Sequence, residues 1–224
     1  LMWRYGGDLE AQLADLDAAA AAGVDWVRLT MVYQTNLDTN LIAIIQRCNA
    51  LGIKVLMEVN SKAPMFPPGT ERRPGNLAEG GYAYDSYRLS DIDLALAEDY
   101  LRDFFIFVQA NGASFQALEL FNEMNWCSFN GDLPIVIGGL TIDEFTPWDD
   151  PVFAQYRLGI SKVAQLTKVA SDLVDEFFGG TIPIITCGQV SLNSVNPDAI
   201  LQNGAGGSMA SDVMTLKLMQ GAYP

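Results

Sequence analysis

The chain has 224 residues, half of them apolar and 18% charged, with 13 basic against 27 acidic side chains and no histidine. A formal charge of −14, with neither a basic stripe nor a basic amphipathic helix, excludes nucleic acid and an anionic membrane surface as partners, and the apolar content excludes a disordered solvating chain. Without histidine, Ser-His-Asp and Cys-His chemistry and histidine-ligated zinc or iron are excluded within this chain.

Leu1 to Tyr5 is a short aromatic opening. Asp8 can cap a helix to about Ala22, with Leu9, Leu13 and Leu16 on one face and Gly23 as its stop. Val24 to Tyr33 reads as a strand with apolar residues at both parities, hence covered on both faces. Leu37 to Leu51 is the next helix, with Leu41, Ile44, Ile45 and Cys48 at helical spacing and Gly52 at its end. Ile53 to Val59 is a second buried strand. Helix, glycine, buried strand, polar loop is the rhythm of a parallel α/β fold.

Asn60 to Arg88 breaks that rhythm with Pro64, Pro67, Pro68 and Pro74 and the tyrosines Tyr82, Tyr84 and Tyr87. A loop of this length after the carboxyl end of a strand is usually functional or mobile. Ser90 and Asp93 form an expected capping box for a helix from Ile92 to about Asn111. Phe115 to Phe121 is the next strand, and it stops abruptly at Asn122-Glu123, followed by Met124, Asn125 and Trp126. Ser128 to Asp149 is a second excursion, whose acids Asp143, Glu144, Asp149 and Asp150 lack the alternating oxygen ligands of a calcium loop and read as solvated surface. Asp150-Pro151 starts a long helix to Phe178, ended by Gly179-Gly180. Ile182 to Thr186 is a further strand, Gly188 to Gly207 a third polar loop, and Ser208 to Gln220 a last helix.

Three cysteines, Cys48, Cys127 and Cys187, are too few and too scattered for a metal signature. Cys48 reads as a buried hydrophobe, while Cys127 and Cys187 follow strands and could meet near one end of a sheet. No stretch reaches membrane-span length, and no basic-then-apolar leader opens the chain; a mature secreted chain would look the same, and a secreted or periplasmic setting is slightly favoured. No linker divides the sequence, so residues 1–224 are expected to form a single domain.

Two architectures compete. A doubly wound sheet announces its ligand with a glycine-rich first turn, and no GxGxxG or GxxxxGK follows a strand here. A (β/α)8 barrel carries its chemistry at the carboxyl ends of several strands, where Arg28, Asn60, Asn122-Glu123 and Gln189 fall. The barrel is the better fit to the pattern.

Asn122-Glu123 closing a buried strand, with Trp126 just after it, resembles the fourth strand of the (β/α)8-barrel clan of retaining glycoside hydrolases, the cellulase-like and β-xylosidase-like clan A. Gly23-Val24-Asp25-Trp26-Val27-Arg28-Leu29 resembles the clan's second strand. The resemblance implies a (β/α)8 TIM barrel represented by strands two to five and their helices, acting on a β-linked glycan or glycoside without a cofactor or metal. It implies Glu123 as general acid/base, Asn122 as contact to the sugar 2-hydroxyl, and Arg28 as the arginine that bonds the nucleophile from below. Trp126, Asn60 and Tyr33 are candidate substrate contacts, with Tyr82, Tyr84, Trp148 and Phe129 as further aromatic platforms. Each role has a plainer rival: Glu123 bonding a helix terminus, Arg28 in a structural ion pair with Glu58 or Glu119, the rings packing loops onto the barrel.

The clan's nucleophile is a second glutamate at the end of a seventh strand, and no glutamate follows Glu176. The expectation is therefore a stretch of a longer polypeptide, inactive alone, whose attacking carboxylate and C-terminal part of the barrel come from elsewhere, and whose half-barrel leaves a large apolar face open. The rival functions are a non-catalytic carbohydrate-binding or degenerate barrel, a different (β/α)8 enzyme, and a small-molecule-binding doubly wound domain.

Overall fold

The helices are α1 (Leu9–Ala21), α2 (Thr39–Leu51), α3 (Leu94–Ala110), α4 (Pro151–Phe178) and α5 (Asp212–Met219). The strands are β1 (Trp26–Thr30), β2 (Lys54–Val59), β3 (Ala117–Leu120), β4 (Leu140–Ile142), β5 (Ile184–Thr186) and β6 (Met209–Ala210). This computed structural model describes residues 8–30, 39–79, 81, 83–135, 140–143, 145–186, 209–210 and 212–221. Their contacts divide them between two units, one of Leu1–Pro64, Glu98–Phe121 and Val169–Thr186, the other of Met65–Ala97, Asn122–Lys168 and Cys187–Pro224.

The first unit is built on a four-stranded parallel sheet in the order β1-β2-β3-β5. The strands follow one another across the sheet in chain order, with no reversal. A doubly wound sheet reverses its order at the ligand crevice, whereas successive βα units of a (β/α)8 barrel do not. The fold is thus alternating α/β with the strand order of a partial (β/α)8 barrel.

Side chains alternate across each strand. Val27, Leu29, Val55, Met57, Val59, Leu118 and Leu120 share one buried face. Arg28, Thr30, Leu56, Glu58, Ala117, Glu119 and Ile185 share the other. The expected open apolar face is therefore corrected: Trp26 and Ile185 are exposed, but the centre of that face carries charge. α1 packs on α2, and Arg47 Nε meets Asp17 Oδ1 at 2.7 Å between them. Gly23 (φ 79°) and Gly52 (φ 73°) end these two helices in the left-handed region, which a side chain would resist. Phe105 touches four other rings, Phe104, Phe115, Phe177 and Phe178, at centroid distances of 5.2 to 6.0 Å. Phe104, Phe105 and Phe115 are fully buried, each worth about 1.5–3 kcal/mol, so this cluster is the apolar anchor of the unit.

In the second unit the excursion after β2 is a strap folded back on itself. Arg73 and Ser86 exchange two main-chain bonds, N to O at 2.8 and 3.0 Å, and Asn76 N donates to Ala83 O at 2.9 Å. Tyr87 is sandwiched by Phe66, stacked at 4.3 Å, and the Arg72 guanidinium at 4.9 Å. The expected Ser90/Asp93 capping box is corrected. Asp93 alone caps α3, its Oδ1 accepting from Ala95 N at 2.9 Å and Leu96 N at 3.2 Å, while Ser90 sits in a separate 3-10 turn, Leu89–Asp91. α4 starts as the sequence implies, with Asp150 Oδ1 accepting from Phe153 N at 2.8 Å ahead of Pro151. The buried Tyr156 hydroxyl of α4 and Thr215 hydroxyl of α5 lie 2.5 Å apart. β4 and β6 form a small parallel pair too short to read from sequence. Among the described residues no helix is long and apolar enough to cross a membrane.

Candidate active site

Register places Thr30, Glu58, Glu119 and Ile185 in one row across the sheet, toward the strands' carboxyl ends. Arg28, one residue pair lower on β1, serves two carboxylates: Nη1 lies 3.0 Å from Glu58 Oε2, and Nε donates to Glu119 Oε2 at 2.6 Å. Thr30 Oγ1 also donates to Glu58, and Asn60 Nδ2 donates to Glu58 Oε1 at 2.7 Å. Glu58 and Glu119 are buried, 1% and 5% exposed. Burial pushes the Glu58 carboxyl above its ordinary value, and the neighbouring Glu119 charge pushes the same way; the Thr30 hydroxyl, Arg28 and Lys62 pull it back. Arg28 thus holds the structural ion pairs that the sequence offered as its plainer role, with both candidates at once. Asn60 joins that same cluster through Glu58.

β3 ends in backbone that ordinary residues avoid. Phe121 has φ 66° and Glu123 φ 40°, the two non-glycine residues with positive φ among those described. Each such residue costs about 1–3 kcal/mol and persists only when its surroundings hold it. Asn122, between them, and Glu123 are half-buried, and Trp126 N donates to Glu123 O at 2.8 Å, closing a turn that joins the acid to the indole.

The turn is fastened by residues further along the same segment. Asn130 Nδ2 donates to Met124 O at 2.9 Å, and Asn130 Oδ1 accepts from Asp132 N at 2.8 Å. Asp132 in turn accepts from the Ser90 hydroxyl at 2.6 Å and Ser90 N at 3.1 Å. Gln155 of α4 adds Nε2 to both Ser90 and Asp132. Burial outweighs these donors and, with the Asp91 charge, pushes the Asp132 carboxyl up to about 6. Gly159 lets α4 come this close, since a Cβ there would stand 2.1 Å from Asp132 Oδ2. The strap fastens the segment from its other side: Ser86 Oγ donates to Ser128 O at 2.6 Å, Gly131 N donates to Tyr87 O at 2.8 Å, and the Arg73 guanidinium reaches Cys127 O.

No family model and no curated protein matches the sequence. Among solved structures, the chain resembles the virulence factor SghA from Agrobacterium tumefaciens at 13% identity and TM-score 0.45, over 79% of this chain and 36% of that one. It resembles D-allulose 3-epimerase from Methylomonas sp., solved with D-allulose, at 14% identity and TM-score 0.41, over 91% and 56%. The YdhT protein from Bacillus subtilis stands at 14% identity and TM-score 0.44, over 78% and 51%. The chain thus spans between about a third and just over half of these structures. Such distant likeness carries no argument about the site; the strand order and register carry the fold.

The sequence candidates therefore separate. Asn122, Glu123 and Trp126 sit on one fastened turn, and Arg28 and Asn60 meet at Glu58 in the sheet unit. Tyr33, Tyr82, Gln189 and Cys187 lie outside the described residues. Phe129 meets Trp126 edge-on at 5.7 Å and Tyr84 at 6.0 Å. Trp148 instead packs under Arg157, 3.4 Å from its guanidinium carbon, and against Phe153, as the plainer reading had it. Asp143 caps its own turn, accepting from Phe145 N and the Thr146 hydroxyl. Among the described residues no group of three or more His, Cys, Asp or Glu could hold a metal. Sequence reasoning missed Asn130 and Asp132. Their signal was Asn130-Gly131-Asp132, a turn tripeptide placed between Phe129 and Leu133, where a buried acid needs partners.

Proposed function

We propose that the chain supplies the acid/base side of a retaining glycoside hydrolase acting on a β-linked glycan or glycoside. The supporting observation is the pair of strained residues, Phe121 and Glu123, bracketing Asn122 directly after a parallel strand of a barrel-type sheet. Strain of this kind collects where geometry serves chemistry, and barrel chemistry gathers at the carboxyl ends of strands. Glu123 protonates the leaving glycosidic oxygen while a carboxylate from outside residues 1–224 attacks the anomeric carbon. In the second step Glu123 takes a proton from the water that releases the sugar with retained configuration. Asn122 offers its amide to a ring hydroxyl, and Trp126 an apolar ring face to the sugar. Arg28 holds Glu58 and Glu119 within the sheet. A non-catalytic carbohydrate-binding barrel is the second reading, favoured by the engagement of Arg28 within its own sheet.

The test is turnover of aryl β-glycosides by the full polypeptide that contains this chain, with and without Glu123→Gln. General acid catalysis is worth about 10²–10⁴-fold, so the variant should lose that factor in kcat/KM, which reports the first step, on poor leaving groups and much less in kcat/KM on a dinitrophenyl glycoside, whose departure needs no proton. Equal losses on both leaving groups, or none, would remove Glu123 from the acid role. Full-length protein that binds glycans without hydrolysing them would establish the second reading.

A further inference from the structure

We propose that Asn130 is the positioning residue of the acid: its side chain holds the backbone directly behind Glu123, so that the carboxyl is offered in one direction. This inference rests on the reading of Glu123 as the acid. Glu123 stands at φ 40°, a conformation that relaxes toward ordinary backbone unless the residues after it are held. The carbonyls that follow are held in turn. Glu123 O accepts from Trp126 N at 2.8 Å, Met124 O from Asn130 Nδ2 at 2.9 Å, and Trp126 O from Phe129 N and Asn130 N, both at 3.0 Å. Of these donors Asn130 Nδ2 is the one side-chain group, and it binds the carbonyl of the residue next to the acid.

Asn130 is itself firmly seated. It is fully buried, and Met124 nearly so. Its Oδ1 accepts from Asp132 N at 2.8 Å, which fixes the orientation of the amide and leaves Nδ2 aimed at Met124 O. The backbone beyond it has no slack: a Cβ on Gly131 would stand 2.5 Å from Ser86 O, and Asp132 takes the Ser90 hydroxyl at 2.6 Å and Ser90 N at 3.1 Å. A buried amide costs desolvation unless its bonds are made. One such bond to a buried carbonyl is of the same order as the strain of a left-handed residue. Removing it lets residue 123 relax, which swings its Cα–Cβ bond and carries the carboxyl away from the leaving oxygen; a misplacement of about 1 Å costs about 10²-fold in rate. A turn that served stability alone would carry glycine at 123 and need no amide behind it.

The experiment compares the full polypeptide that contains this chain with its Asn130→Ala and Ser86→Ala variants, reading kcat/KM on an aryl β-glycoside with a poor leaving group and on its dinitrophenyl counterpart. Asn130→Ala should lose about 10–10²-fold on the poor leaving group. It should lose less than about threefold on the dinitrophenyl glycoside, whose departure needs no proton. Ser86→Ala deletes the bond to Ser128 O, in the same segment but away from the acid, and should leave the ratio of the two values unchanged whatever it does to the melting temperature. Where Asn130→Ala does not fold, Asn130→Asp carries the same expectation, since it keeps the acceptor for Asp132 N and removes the donor to Met124 O. Equal losses on both leaving groups, no loss, the same change of ratio with Ser86→Ala, or failure of both Asn130 variants to fold would overturn the role. The two readings fail separately: a ratio indifferent to Glu123→Gln ends the acid role, whereas a ratio that responds to Glu123→Gln but not to Asn130→Ala ends the positioning role alone.

Discussion

Arg28→Met tests the charged row of the sheet. The variant keeps much of the stem's packing and deletes two charge-assisted contacts, at 3.0 Å to Glu58 and 2.6 Å to Glu119. Each is worth about 1.5–3 kcal/mol, and removing one partner of a buried pair costs about 3–5 kcal/mol because the stranded charge stays buried. Two features reduce the loss: the arginine side chain is 31% exposed, and Glu58 keeps Thr30, Asn60 and the Lys62 charge. A loss of about 3 kcal/mol near pH 7.5 is expected, or about 6–12 °C in melting temperature for a chain of this size. The sign with pH follows from Glu58. Its folded value lies above the ordinary 4.5, so its contribution to stability is present in full below that value and is lost as pH rises through the raised one. Deleting Arg28 raises it further, so the gap between wild type and variant should narrow as pH falls toward 5. The assay is urea unfolding of both proteins at pH 5 and 7.5, followed by circular dichroism. A gap below about 1 kcal/mol, the range of an exposed pair, or a gap that does not change with pH would show that Arg28 and its carboxylates are effectively solvated, and the account of the row would be wrong.

Other consequences are checked as directly. Gly159→Ala should destabilise by about 1–3 kcal/mol, the usual range for overpacking, because its methyl would meet Asp132 Oδ2; an unchanged denaturation midpoint would place α4 further from the 130–132 turn. Asp132, with its carboxyl up to about 6 against an ordinary 3.8, contributes stability below pH 3.8 that is lost as pH rises through about 6. Stability relative to Asp132→Asn should therefore be greater at pH 4.5 than at pH 7.5, by about 2 kcal/mol, and a difference independent of pH would refute the burial. Cys48 is fully buried with its thiol pushed up to about 11, so a thiol reagent at pH 8 should label it only on unfolding; labelling of the native protein at Cys48 would contradict the packing of α2.

Much of the frame was legible because it rests on local rules. Asp8 and Asp150 cap helices as short acceptors do, and Gly23 and Gly52 stop helices at left-handed positions. Val27, Val55 and Leu118 mark the strands, but β1, expected to be covered on both faces, is buried on one: Trp26, Arg28 and Thr30 keep exposure on the other. Pairing partners across the chain were less legible. That Arg28 takes Glu58 and Glu119 together depends on register, since a one-residue slip would turn either acid to the opposite face. Ser90 illustrates the opposite failure: its local pattern matched a capping box, but a buried carboxylate 42 residues away needed a hydroxyl donor and took it. The excursion from Asn60 to Arg88 looked structureless because its organisation comes from carbonyls and glycines, which leave no hydrophobic period.

The two strained residues have unequal support. The ring of Phe121 is 2% exposed, and its burial, about 1.5–3 kcal/mol, outweighs the roughly 1–2 kcal/mol that a left-handed backbone costs an L-residue. Glu123 is only half-buried, so side-chain burial offsets less of the cost of its left-handed backbone (φ 40°), a conformation that glycine or asparagine adopts more readily. A breeder selecting this protein for heat tolerance alone would be drawn to position 123 and would harvest durable molecules stripped of their proposed proton donor.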